Sequence, residues 1–154
     1  MNDKVVLLVE DNDDDVELTL RSFQKHNLAS KVVVAKNGQE ALDYLFAKGV
    51  YAGRDAKDSP VLILLDLKMP KVSGLEALLR IRAEPTTKYI PVVVLTTSSQ
   101  MQDKTQSYDN GANSYVRKPV DFEEFIEATR QMGIYWLMVN DPPPTPAEVA
   151  SGAA

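Results

Sequence analysis

The 154-residue chain contains no cysteine, one histidine and no long apolar run, and each absence removes a class of function. Without cysteine there is no disulfide, no thiolate zinc site and no cysteine nucleophile. His26 alone cannot build a histidine-rich metal site, and no second histidine can serve as a general base; it reads as a surface residue near the end of the first helix. No stretch approaches the roughly 18–20 apolar residues that span a bilayer. Met1-Asn2-Asp3-Lys4 leads into only five apolar residues before Glu10-Asp11, too few for a signal peptide. Nor is there a basic stripe to displace counterions from phosphates, so direct nucleic-acid binding is not expected. What is present, 44% apolar and 25% charged residues, fits one globular domain with a real core. The expectation is a soluble, cytoplasmic protein.

The charge is unevenly placed. Lys and Arg number 17 against 22 Asp and Glu, giving a net charge of −5. Six acids fall between positions 10 and 17: Glu10, Asp11, Asp13, Asp14, Asp15 and Glu17. The rest of the chain is nearly neutral. Such a cluster is either a cation site or a solvated helix start. Asp13, Asp14 and Asp15 read as helix-capping acids, suited to the positive end of the helix dipole.

Apolar runs at 5–9, 32–35, 61–65, 92–95 and 114–116 predict five strands. The first, third and fourth are continuous Val/Leu/Ile, the pattern of strands buried on both faces of a parallel sheet. Between them lie stretches of helical spacing, the fourth polar and weakly patterned, the fifth running from 121 to about 138. Strict alternation predicts a doubly wound α/β domain over residues 1–139. Residues 48–60 read as a loop. The tail at 140–154, with four prolines, reads as extended or flexible.

In such sheets, sites form beyond the carboxyl ends of the strands. Strand one ends at Glu10-Asp11, strand three at Asp66, strand four at Thr96 and strand five at Lys118. A strand order of 2-1-3-4-5 gathers all four ends. The resulting carboxylates, hydroxyl and ammonium suit phosphoryl transfer to a carboxylate. Asp66 is the candidate nucleophile, Lys118 the cation for phosphoryl oxygens and Thr96 a hydrogen-bond donor to one of them. A hard oxygen site of this kind suits Mg²⁺.

These residues resemble the response-regulator receiver domain of two-component signalling, a flavodoxin-like fold. The motifs occur in order as LLVEDN at 7–12, LLDLKMPKVSG at 64–74, VVVLTTS at 92–98 and YVRKP at 115–119. The resemblance implies phosphorylation of Asp66 by a sensor histidine kinase, with Mg²⁺ held by Asp11, Asp66 and the main-chain carbonyl of Lys68. Glu10 would complete the acidic pocket. Thr96 and Tyr115 match two switch positions, and Lys118 matches a phosphate-pairing lysine preceding a cis Lys118–Pro119 bond. Tyr115 is expected to move inward when Asp66 is phosphorylated. With no output domain following, the chain reads as a stand-alone regulator rather than a turnover enzyme. From Gly133 the wording GIYWLMVNDPPP resembles regulators that partner phytochrome kinases.

Three other functions compete. A flavin-binding protein of the same strand order needs a hydroxyl- or glycine-rich phosphate loop after strand one, where EDNDDD would repel phosphate. A haloacid-dehalogenase-type phosphatase needs a second acid two residues after its nucleophile, and that position is Lys68. A receiver-like scaffold that is never phosphorylated has no need of Asp66 and Lys118 together. Finally, on the last helix, Phe122, Phe125, Ile126, Thr129, Gly133, Trp136 and Leu137 form the face expected on the sheet. Ile134, Tyr135 and Met138 form an apolar patch opposite, the expected interface of a homodimer.

Overall fold

A computed structural model describes residues 4–29 and 31–152. Residues 1–3, which bear on the signal-peptide reading, and 153–154 at the end of the tail lie outside the described residues. Five strands, β1 (Val5–Val9), β2 (Lys31–Ala35), β3 (Leu62–Leu65), β4 (Val92–Thr96) and β5 (Ser114–Arg117), form one parallel sheet. Its order is β2-β1-β3-β4-β5, as expected. The helices between them are α1 (Asp13–Lys25), α2 (Gly38–Phe46), α3 (Gly74–Ala83) and α4 (Met101–Asp109), with α5 (Phe122–Ile134) following β5. Inside the expected loop at 48–60, Gly49–Tyr51 form a short 3₁₀ turn.

The sheet is apolar on both faces because successive side chains in β1 and β3 alternate sides while all remain apolar. Leu7, Val9, Ile63 and Leu65 pack with Leu42 and Leu45 of α2 and Leu78 and Ile81 of α3. On the other side Val6, Leu8, Leu62 and Leu64 pack with Val16 and Phe23 of α1 and Phe125 and Met132 of α5. Polar caps set where the helices begin. Asn12, Asn37, Ser73 and Asp121 each accept a hydrogen bond from a backbone N–H of the first turn. The N-cap of α1 is thus Asn12 rather than one of the three aspartates, which occupy the first helical turn.

Three expectations about the C-terminal part change. Phe122 does not pack on the sheet; it is 53% exposed at the first residue of α5. Phe125, Thr129, Gly133 and Leu137 are buried as expected, and Met132 joins them. After Ile134 the helix widens into a π-helical turn, Tyr135–Val139, closed by Asn140 N donating to the Tyr135 carbonyl at 2.6 Å. The wider turn shifts the helical register. Ile134, the last residue of α5, and Trp136 pack against the core from its edge, while Tyr135, Met138 and Val139 face outward. The third change is in the tail, where Pro146–Ala150 form α6 instead of extended chain. Thr145 and Glu148 make a reciprocal capping box around it, and Ala147 N donates to the Lys57 carbonyl at 3.2 Å.

One glycine fixes the geometry of the β3–α3 connection. A Cβ on Gly74 would lie 2.1 Å from the Asp66 carbonyl oxygen and 2.7 Å from Leu67 Cα, both backbone atoms. Gly74→Ala must force the two segments apart, and the expected cost is about 2 kcal/mol, within the range for overpacking. Urea denaturation measures it; an unchanged midpoint would show that the loop yields freely.

Candidate functional site

The parallel register places the ends of four strands at one edge of the sheet. Val9 pairs with Leu65, Leu65 with Val94 and Thr96 with Arg117. The residues immediately beyond therefore converge. Asp66 N donates to the Val9 carbonyl at 3.0 Å and Lys118 N to the Thr96 carbonyl at 2.7 Å. Each continues the ladder one step past its strand. Glu10 N is tied in the same way to the Ala35 carbonyl at 2.9 Å.

Glu10, Asp11 and Asp66 each bring a carboxylate oxygen within 4.8 Å of the others. Glu10 and Asp66 are buried and Asp11 is open to solvent. The donor set is entirely oxygen with one open side, which fits a hard divalent cation that retains water. Among them lies the Lys118 ammonium, its side chain only 5% exposed. Nζ is 2.5 Å from Glu10 Oε1, 2.8 Å from Asp15 Oδ2 and 3.7 Å from Asp66 Oδ2. Burial pushes the Glu10 carboxyl up to about 7, with the Asp66 charge adding to the effect and Lys118 opposing it. Burial works against the Lys118 ammonium too, but hydrogen bonds to Asp15 and Glu10 outweigh it and raise its pKa above the usual lysine value.

Lys118 reaches the pocket without the expected cis bond, since no cis peptide occurs among the described residues. The peptide before Pro119 is trans. The Lys118 N–H is fixed on Thr96, and the long flexible side chain does the rest. Asp15 is the residue that sequence reasoning missed. An acid in the first turn of a helix reads as a dipole partner, and only the closeness of α1 to the end of β5 reveals its second role.

Thr96 is fully buried, and its Oγ1 accepts from Ser98 N at 3.3 Å. Tyr115 is half-buried, and its hydroxyl donates to the Ser98 carbonyl at 2.9 Å. It thus contacts the β4–α4 loop through the Ser98 carbonyl. Ser98 Oγ donates to Asp103 Oδ2 at 2.5 Å, and Lys68 Nζ lies 3.5 Å from the same oxygen. The Ser98 hydroxyl, helped by Lys68, holds the Asp103 carboxyl below its usual range. Asp103 thus joins the residues two places after Asp66 and Thr96. It lay in the weakly patterned α4 stretch, which gave no sign of this contact.

Residues 6–130 match the family model of the response regulator receiver domain, and the chain belongs to that family. It is 37% identical over 139 residues to a probable methanogenesis regulatory protein, FilR2, of Methanothrix harundinacea, an alignment covering 90% of this chain and 87% of the relative. Response regulator Rcp1 of Synechocystis is 34% identical over 134 residues, covering 87% and 89%. Among solved structures, the phosphorylated cyanobacterial phytochrome response regulator RcpA has a TM-score of 0.87 at 36% identity, covering 93% of this chain and all of that one. The Mn²⁺-bound form of Rcp1 has a TM-score of 0.85 at 33% identity, covering 92% and 99%. No helix among the described residues is long and apolar enough to cross a membrane.

The charge balance of the pocket predicts opposite effects of two substitutions in divalent-free buffer. Lys118→Ala leaves buried Glu10 without its cation and should lose about 3–5 kcal/mol of stability. Asp66→Asn relieves repulsion among the carboxylates and should gain on the order of 1 kcal/mol. Chemical denaturation in EDTA measures both; shifts of the same sign would contradict this balance.

Proposed function

We propose that the chain is a phospho-receiver that accepts a phosphoryl group on Asp66 from a phosphohistidine of a sensor histidine kinase. The observation that carries this reading is the Lys118 ammonium buried between Glu10 and Asp66, with Asp11 beside them. An Asp66 carboxylate oxygen attacks phosphorus as the P–N bond to the histidine breaks. The electron pair returns to the imidazole, which takes a proton from solvent. Mg²⁺, held by Asp11, Asp66 and the Lys68 main-chain carbonyl with Glu10 nearby, would supply charge neutralisation of the incoming group. Asp66 Oδ1 accepts the Leu67 N–H at 2.8 Å, which orients the carboxylate and leaves Oδ2 toward Lys118. Lys118 then pairs with a phosphoryl oxygen, and the Thr96 hydroxyl donates to another. Because Ser98 N is bonded to the Thr96 hydroxyl and the Ser98 carbonyl to Tyr115, a shift of Thr96 carries through the loop to Tyr115.

The likeness to the phytochrome response regulator RcpA supports a phytochrome as the sensor, with the regulator acting in the cytoplasm. A turnover phosphatase is disfavoured, because Lys68 stands where the second acid is needed and pairs with Asp103. With acetyl phosphate as donor, Mg²⁺-dependent, base-labile labelling should appear on the wild-type chain and vanish in Asp66→Asn. Undiminished label on Asp66→Asn would overturn the acceptor, and an unlabelled wild type would favour the unphosphorylated scaffold.

Homodimerisation belongs to the same proposal. Tyr135, Met138 and Val139 are 48%, 62% and 64% exposed at the end of the C-terminal helix, an apolar patch best covered by its own copy across a two-fold axis. Ile134, expected in that interface, is half-buried against the core and would contribute from the edge only. Met138→Asp should shift the protein toward monomer in light scattering without lowering its melting temperature. Wild type that stays monomeric at high concentration, with and without a phosphoryl mimic, would refute the interface.

A further inference from the structure

The three contacts of the Lys118 ammonium are unequal. Its two hydrogen bonds go to Glu10 Oε1 at 2.5 Å and Asp15 Oδ2 at 2.8 Å, while the acceptor's Oδ2, at 3.7 Å, is beyond hydrogen-bond reach. Of the two carboxylates that hold the lysine, Glu10 belongs to the cluster that could ligate a cation, and Asp15 does not. A cation that drew on Glu10 would leave Asp15 as the remaining strong partner of Lys118. Asp15 is also fixed in place, because its backbone N–H is bound by the Asn12 cap of α1 at 3.0 Å. Its carboxylate is 22% exposed against 5% for the lysine side chain, so water can take over its side of the bond when the ammonium leaves.

We propose that Asp15 is a positioning residue that holds the Lys118 ammonium aside from Asp66 in the unphosphorylated chain and competes with an incoming phosphoryl group for it. This rests on the reading of Asp66 as the acceptor. The phosphoryl group wins the lysine because it carries more charge and more acceptor oxygens than one carboxylate. The strength of the Asp15 bond therefore sets how much of the phosphoryl interaction is spent on releasing Lys118. Without Asp15, the ammonium settles nearer Glu10 and Asp66, where it opposes a divalent cation and is already in place for an anion.

Two titrations on the full chain separate this role from a structural one: Mg²⁺ alone by calorimetry, and beryllofluoride at saturating Mg²⁺ by fluorine NMR. Asp15→Asn should weaken Mg²⁺ binding and tighten beryllofluoride binding, each by roughly three- to tenfold, between an exposed ion pair and a buried charged hydrogen bond. Asp14→Asn, which removes the same charge one residue away, should change neither by more than about twofold. On a Lys118→Met background the effect of Asp15→Asn on Mg²⁺ binding should disappear, as a double-mutant cycle requires when one residue acts through the other. Weakening of both ligands by Asp15→Asn would make its role structural and overturn the proposal. An equal split in Asp14→Asn, or one that persists without Lys118, would assign the effect to bulk charge and overturn it as well. If the wild type takes up no beryllofluoride with Mg²⁺ present, the acceptor reading itself falls, and the Asp15 role with it.

Discussion

A lysine ammonium buried among carboxylates is the constraint on which the active end of this domain depends. Taking a charge out of water costs several kcal/mol unless partners replace the lost hydration, and a cluster of acids stays ionised only with a cation beside it. Lys118 solves both problems at once: Glu10 and Asp15 take the place of its water, and it keeps their charges and that of Asp66 from forcing the strand ends apart. Removing either side of this balance exposes the other.

The rest of the fold serves to hold these groups at fixed spacing. Two apolar faces clamp the sheet between helix layers, so the strand ends cannot drift. Backbone hydrogen bonds from Glu10, Asp66 and Lys118 extend the ladder one residue into the pocket, and Gly74 allows the loop after Asp66 to fold back tightly. From the pocket a chain of hydrogen bonds runs through Thr96 and Ser98 to Tyr115 and Asp103. These bonds tie the end of β4 to the β4–α4 loop and to β5.

Much of this was legible in the sequence because a doubly buried strand leaves little ambiguity. Runs such as Leu62–Leu65 cannot be exposed on either side, and the polar residue that ends each one marks the pocket. Strand order and the gathering of Glu10, Asp11, Asp66 and Lys118 followed from that pattern. The failures share a different cause. Asp15 looked like an ordinary first-turn acid, because helix-dipole logic is satisfied by any acid there and does not reveal what lies across from it. Steps of 100° along one uniform helix put Phe122 on the sheet and Ile134 on the opposite face. The first residue of a helix can overhang the sheet, however, and a residue opposite the buried face near the helix end can still lean onto the edge of the core. In the tail, Thr145-Pro146-Ala147-Glu148 does carry a capping-box signal, with proline at the first helical position, but it was masked by the prolines before it. At Lys118–Pro119 the bond is trans and the four-carbon side chain still brings its ammonium to Asp66.

On the proposed function, Lys118 is the movable charge of the site, shared between carboxylates at rest and given to the phosphoryl group once Asp66 carries one. A crystal structure of the chain with Mg²⁺ and beryllofluoride at Asp66 tests it directly. The Lys118 ammonium should then lie within hydrogen-bond distance of a fluorine and beyond such reach of Asp15. An ammonium still bonded to both Glu10 and Asp15, with the anion bound and no contact between them, would contradict it.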